Sequence, residues 1–209
     1  MRSIEIVSTA STMPLPLSAQ VQARLLARLT SDLRVIELAA IRSYSLQAFT
    51  LLASMFEHAH VVSYIGTDDK RAALWLNHTE QRETYPKPLR VAVQATAELL
   101  GSTEASIKTE MGLYRLFCMV KHGNPMIQRG FGSSIAGDKL TVQLGPFVSS
   151  RTRRQAARAI LYGCRYAAVA AYAYASPRIG EEQADFVEEF YSVVTNQIEL
   201  LAKERPRRS

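Results

Sequence analysis

Cysteine is scarce: the 209 residues hold only Cys118 and Cys164. Both fall in apolar, helix-like patterns, so they are expected as reduced core thiols, not as a disulfide. Long hydrophobic runs are missing too. No stretch supplies the ~20 continuous apolar residues of a membrane helix, and the uncharged run from Tyr166 to Pro177 is too short and too rich in Ala and Tyr. Met1-Arg2-Ser3-Ile4-Glu5 puts an acid where a signal peptide needs an unbroken apolar block. A cytoplasmic chain with no membrane partner is expected. Metal motifs of the Cys-x-x-Cys or His-Glu-x-x-His kind are absent, and His58 and His60, two residues apart, point about 200° apart on a helix. No metal and no cofactor are expected. There is no Gly-x-Ser-x-Gly elbow for a serine hydrolase. Gly132 to Lys139 nearly mimics a phosphate-binding loop, but Asp138 stands where that loop needs its lysine.

What is present is an ordinary globular composition, 47% hydrophobic and 21% charged, with a net charge of +6. Such a chain can bury a sizeable core, and its charge suits a polyanionic partner. Helical periodicity dominates. Residues 1–17 read as an extended lead-in, with Ile4 to Val7 as a short strand and Pro14-Leu15-Pro16 after it. Ser18 is a reasonable N-cap for a long helix. A second helix over Ser45–Ile65 is apolar on most sides and ends at Gly66. Thr67-Asp68-Asp69 caps a third, from about Lys70 to Glu80. Further helices are expected over 89–100, 106–122, 151–175 and 181–203. Between 123 and 150 the helical period disappears, and Leu140 to Leu144 alternates as a hairpin arm would. The expected architecture is an all-α antiparallel bundle over 18–203, with a loop-and-hairpin insertion at 123–150 and a basic tail at 204–209.

One stretch, Glu110 to Pro125, organises the candidate chemistry. It is an apolar helix stopped by Gly123 and Pro125, with a single interior cation, Arg115. A buried unpaired guanidinium costs several kcal/mol, so Arg115 needs a carboxylate partner or a wet cleft. Glu57, an acid within the apolar Ser54–Val62 segment, is the most economical partner. His122 follows Arg115 by nearly two turns, on the same face and roughly 10 Å along the axis. A fixed cation and an imidazole then share one edge. Spacing alone is not specific. About one such Arg–His pair is expected by chance among the 19 Arg and 4 His, and Arg71 with His78 is a second match. A further feature is Arg151, Arg153, Arg154, Arg158 and Arg165. Arg151, Arg158 and Arg165 recur every seven residues, and the cluster crowds a helix N-terminus that disfavours cations. A nucleic-acid backbone would explain that placement, making Arg151, Arg154, Arg158 and Arg165 the candidate nucleic-acid-binding residues.

Leu51-Leu52-Ala53-Ser54-Met55-Phe56-Glu57, followed later by Tyr114-Arg115-x6-His122-Gly123, resembles bacterial proteins of the HEPN type (higher eukaryotes and prokaryotes nucleotide-binding domain) over roughly residues 20–125. The resemblance implies an all-α, dimeric protein and favours Arg115/His122 over Arg71/His78. It also implies a metal-independent endoribonuclease of toxin–antitoxin or phage-defence type, with RNA as substrate, a homodimer as the working unit, and a cognate antitoxin or regulatory protein as a further partner. Arg115, His122, Glu57 and Tyr114 would form the catalytic set. Leu116 and Ala53 depart from the family pattern, which active members fill with Asn, Asp or His and related uncharacterised members often fill with Arg. The alternative is therefore a non-catalytic HEPN-like binding or regulatory module, with protein or nucleic acid as its partner.

Overall fold

The helix Ser45–Ile65 is apolar on nearly every side, and a helix of that kind belongs inside a protein. In the computed structural model it is the central element. The structure describes residues 15–78, 89–124, 133–136, 139–142, 149–178 and 181–203. Within these it is all-helical but for one strand pair: α1 (Leu17–Ile41), α2 (Ser45–Ile65), α3 (Asp69–Leu76), α4 (Leu89–Leu99), α5 (Glu104–Lys121), α6 (Ser150–Ala175) and α7 (Glu181–Lys203). Helix α2 packs on α1, α4, α5 and α6, while α6 also packs on α1 and α7. Ser133–Ala136 (β1) pairs antiparallel with Lys139–Val142 (β2), Ile135 standing opposite Leu140. Gln143 and Leu144, the rest of the alternating pattern, lie outside the described residues, as do the Ile4–Val7 segment and the basic tail. Among the described residues, no helix is long and apolar enough to cross a membrane.

Helix α1 buries Val21, Leu25, Leu29, Ile36 and Ala40 along one stripe, and buried Gln22 donates to the Val62 carbonyl of α2 at 2.8 Å. Its start differs from the expected Ser18 cap. The residue at the N-cap is Pro16, and the Ser18 N–H is satisfied from another helix, by Asp69 Oδ1 of α3 at 2.8 Å. That hydrogen bond from the Ser18 backbone holds the Asp69 carboxyl below its ordinary pKa. Asp68 caps α3 as its sequence implies, accepting from the Lys70 and Arg71 N–H groups. Helix α6 begins with a Ser149/Thr152 capping box. At Gly163 it comes so close to α1 that a Cβ would stand 2.9 Å from Leu33 Cδ1.

An aromatic cluster locks α2, α5 and α6 together. Phe56 lies 5.3 Å from Tyr166 and 5.0 Å from Tyr114, and Phe117 lies 5.5 Å from Tyr162 and 6.2 Å from Tyr166. Phe56, Phe117 and Tyr166 are fully buried, so each ring adds contact area and a favourable edge-on or stacked geometry. This cluster fixes which side of α5 faces inward, and so where its polar residues point.

Candidate functional site

Helix α5 sorts its polar side chains by angle. Ile107, Glu110, Phe117 and Val120 form its buried stripe, and Tyr114 sits beside it, half-buried. Arg115 is one residue further round and is exposed. The expected Arg115–Glu57 ion pair does not form. Once Phe117 and Val120 set the inward face, Arg115 falls on the solvent side and needs no counter-charge. Glu57 is bonded instead to Tyr114, whose hydroxyl donates to Oε1 at 2.6 Å. Burial, reinforced by that carboxylate, raises the Tyr114 phenol well above its ordinary pKa.

His122 is the C-cap residue of α5 and is exposed, with its N–H on the Cys118 carbonyl. The chain then closes a Schellman turn: the Gly123 N–H donates to Val120 O at 3.1 Å and the Asn124 N–H to Met119 O at 2.9 Å. Gly123 supplies the required left-handed backbone, at φ 66°. The turn fixes the backbone that carries His122, seven residues and nearly two turns beyond Arg115, and both residues are exposed. Among the described residues no carboxylate pairs with Arg115. Its rival is committed. Arg71 donates to the Tyr64 carbonyl at 2.7 Å, pairs with Asp68 at 3.3 Å and lies over the Tyr64 ring.

The arginine stripe of α6 does not run along solvent. Arg151 and Arg153 are exposed and Arg154 is half-buried. Arg158, also half-buried, donates to the Leu201 carbonyl of α7 at 3.0 Å. Arg165 turns inward with 15% of its side chain exposed and pairs with Glu110 of α5. The physical reason is α7: it covers the seven-residue stripe beyond the first turns of α6, leaving the open cations at the N-terminal end.

Glu110 and Arg165 anchor a buried polar network. The Glu110 carboxylate receives Arg165 Nη2 and, at 3.3 Å, the Tyr166 hydroxyl. Arg165 also reaches the Tyr191 hydroxyl at 3.2 Å. Burial, the largest single influence, works against the charge on Arg165, but Glu110 together with Tyr166 and Tyr191 outweighs it and raises the guanidinium above its ordinary pKa. Burial, then the Glu110 charge, does the same to the Tyr166 phenol. His60, 2% exposed, bonds Thr96 Oγ1 through Nδ1 at 2.7 Å. Its other nitrogen stands 3.9 Å from Glu110 Oε2, beyond hydrogen-bond reach. Burial, with the Arg165 charge behind it, drives the His60 pKa down to about 3. His58 is half-buried and faces Ser54 Oγ at 3.5 Å, on a different side of α2. Among the described residues no group of three or more His, Cys, Asp or Glu is placed to hold a metal. Cys118 and Cys164 are free thiols.

The chain matches no protein-family model, no curated protein and no solved structure.

Residue spacing does not single out the buried network, although one signal is available. Glu110 lies three residues after Ile107 and seven before Phe117, so an acid interrupts the apolar stripe of α5 and demands an internal cation. Arg165 sits one residue from Tyr166 in the most apolar stretch of α6. His60 carries no comparable signal. Its burial follows from α2 being enclosed on most sides, which only the packing of α4, α5 and α6 decides.

Proposed function

We propose that the chain is a HEPN-like antiparallel helical bundle, with β1 and β2 in an insertion between α5 and α6, and that it works as a metal-independent endoribonuclease of toxin or phage-defence type in the cytoplasm. The observation that carries this reading is the availability of Arg115. It is exposed, has no carboxylate partner among the described residues, and stands nearly two turns before His122, itself exposed at a rigid helix end. A surface arginine tied into an ion pair would be of less use to a phosphate.

The chemistry rests on the two side chains. Arg115 binds the non-bridging oxygens of the scissile phosphate and stabilises the extra negative charge of the transition state. A neutral imidazole takes the proton of the ribose 2′-OH as its oxygen attacks phosphorus. The P–O5′ bond breaks, and a protonated imidazole returns a proton to the leaving 5′ oxygen. The products are a 2′,3′-cyclic phosphate and a 5′-hydroxyl. One His122 cannot act as base and acid at once, so the working unit is a homodimer in which the partner contributes the second Arg115/His122 pair. Glu57 and Tyr114 act as positioning residues, tying α5 to α2 one residue before Arg115. Arg151 and Arg154, at the open end of α6, guide the RNA backbone, with Arg158 and Arg165 committed inside the protein. A substrate with a single 2′-deoxyribose at the cut site tests the mechanism: it should resist cleavage there, and cleavage at that position would sink it.

A second reading has its own support. The Glu57–Tyr114 and Glu110–Arg165 bonds both satisfy polar groups internally, as a non-catalytic binding or regulatory module requires. In that reading the exposed cations of α5 and α6 hold a partner protein or nucleic acid without cutting it.

A further inference from the structure

Helix α7 is apolar on two opposite sides. Tyr191 and Ile198 line the cavity that α7 shares with α4, α5 and α6, and Val194 beside them is 5% exposed. On the other side Phe190, Val193 and Leu200 are 43%, 51% and 55% exposed. With Gln197 they follow one another at steps of three, four and three residues. Steps that alternate in this way keep a row facing one neighbouring helix, and a single polar residue within such a row fixes the register of the pair. Apolar residues scattered singly on a surface need no explanation, but a row of this period does.

The charges of α7 say what fits the row. In the sequence the helix opens with Glu181, Glu182, Asp185, Glu188 and Glu189, with no cation among them. Its other end is basic: Lys203, Arg205, Arg207 and Arg208 stand against Glu199 and Glu204. The bond from Arg158 to the Leu201 carbonyl brings the first turns of α6, with exposed Arg151 and Arg153, to that same end. A uniformly acidic or uniformly basic partner would match half of the helix and oppose the other half. A second copy laid parallel would set acid on acid. A second copy laid antiparallel matches both halves at once, as a two-fold interface requires.

We propose that the outward row of α7 is a self-association face, on which α7 of a second copy docks antiparallel. Aligning residues 181–189 of one copy with 199–208 of the other puts the two-fold axis next to Val193. Glu189 then lies toward the basic end of the second copy. Three apolar residues a side make a small interface, so the pair is a reversible one of micromolar Kd. The face lies opposite the side of α7 that looks toward α5, and it uses neither Arg115 nor His122. A chain that also pairs through those two residues would assemble beyond the dimer. The inference does not rest on the nuclease reading.

The test is sedimentation equilibrium of the full chain under reducing conditions, from roughly 1 to 300 µM. Mass that rises with concentration is expected. Val193→Lys sets two like charges at the axis and should weaken the association by at least about tenfold. The new lysine follows Glu189 by four residues, a spacing that supports the helix itself, and far-UV circular dichroism checks that the variant is folded. Arg115→Ala should leave this association step as it is in the wild type. Direction is read by oxidation of two cysteine variants beside the wild type, which carries Cys118 and Cys164. Val193→Cys should crosslink two chains. Leu200→Cys should not, because the two Leu200 positions stand roughly 17 Å apart along the axis, well beyond the ~7 Å between Cα atoms that a disulfide spans. The proposal is overturned if the wild type keeps one constant mass across the range, or if Val193→Lys associates as tightly as the wild type. Crosslinking of Leu200→Cys as fast as Val193→Cys would overturn the antiparallel docking. Every readout is made without RNA, so a failure here is distinct from a failure of cleavage.

Discussion

Replacing Glu110 by Ala removes the only carboxylate that Arg165 pairs with among the described residues. The guanidinium, with 15% of its side chain exposed, would be left buried and uncompensated, and the Tyr166 hydroxyl would lose its acceptor. Breaking a buried ion pair from one side costs about 3–5 kcal/mol. With a urea m-value of about 2–3 kcal/mol/M for a chain of this size, the unfolding midpoint should fall by roughly 1–2.5 M. The double change Glu110→Leu with Arg165→Met removes both charges while keeping the volume, so it should recover to within about 1 kcal/mol of the wild type. The assay is urea unfolding followed by far-UV circular dichroism at neutral pH, on the wild type, both singles and the double. A midpoint for Glu110→Ala within about 0.5 M of the wild type would refute the reasoning. So would a double variant as unstable as the sum of its singles, because the pair would then not be acting as a unit.

Three further outcomes are expected. The folded state holds the His60 pKa at about 3 against an ordinary 6.5, so the unfolded chain binds more protons between those values and stability falls as pH falls from 6.5 toward 3. The loss should be about 1.4 kcal/mol per pH unit, or about 3 kcal/mol by pH ~4.5. His60→Phe should flatten that slope in denaturation curves at several pH values. Of the charges that face His60, Arg165 adds to the depression set by burial, and Glu110 is paired with Arg165. Ser43 closes the C-terminal turn of α1 at φ 64°, a left-handed backbone that costs a non-glycine residue about 1–2 kcal/mol. Ser43→Gly should therefore raise Tm by roughly 2–4 °C by calorimetry, and a lower Tm would contradict the strain. For RNA, each of Arg151→Ala and Arg154→Ala should reduce the slope of log affinity against log salt by about 0.7, whereas Arg165→Ala should show up as unfolding. Unaltered slopes would remove the open end of α6 from the RNA path.

The helices are legible in the sequence because their periods are strong and their ends are marked by chemistry. Ser45–Ile65 is apolar throughout and stops at Gly66, and Glu181–Lys203 carries a clean amphipathic stripe; both bounds agree with the structure. Asp68 announces α3, but its far end is not announced, because Asn77 closes the helix earlier than the pattern suggests. The site is harder to read. Exposure of Arg115 depends on a rotation of one residue around α5, which Phe117 and Val120 decide by packing on α2 and α6. Glu57 and Glu110 are both acids in apolar helices, and only the arrangement of α5 and α6 assigns one to Tyr114 and the other to Arg165. The arginine stripe has the spacing of a solvent-facing row. Its middle is covered by α7, a long-range contact that spacing within α6 cannot report.

The nuclease reading meets its most direct test in RNA cleavage by the purified chain in EDTA, with wild type, Arg115→Ala and His122→Ala side by side. Both changed residues are exposed, so each variant should stay within about 0.5 kcal/mol of wild-type stability. The expected result is wild-type cleavage leaving 2′,3′-cyclic phosphate ends, lost by at least about 10²-fold in His122→Ala and comparably in Arg115→Ala, with both variants folded. Intact RNA after incubation with the wild type, or cleavage that survives both substitutions, would contradict it.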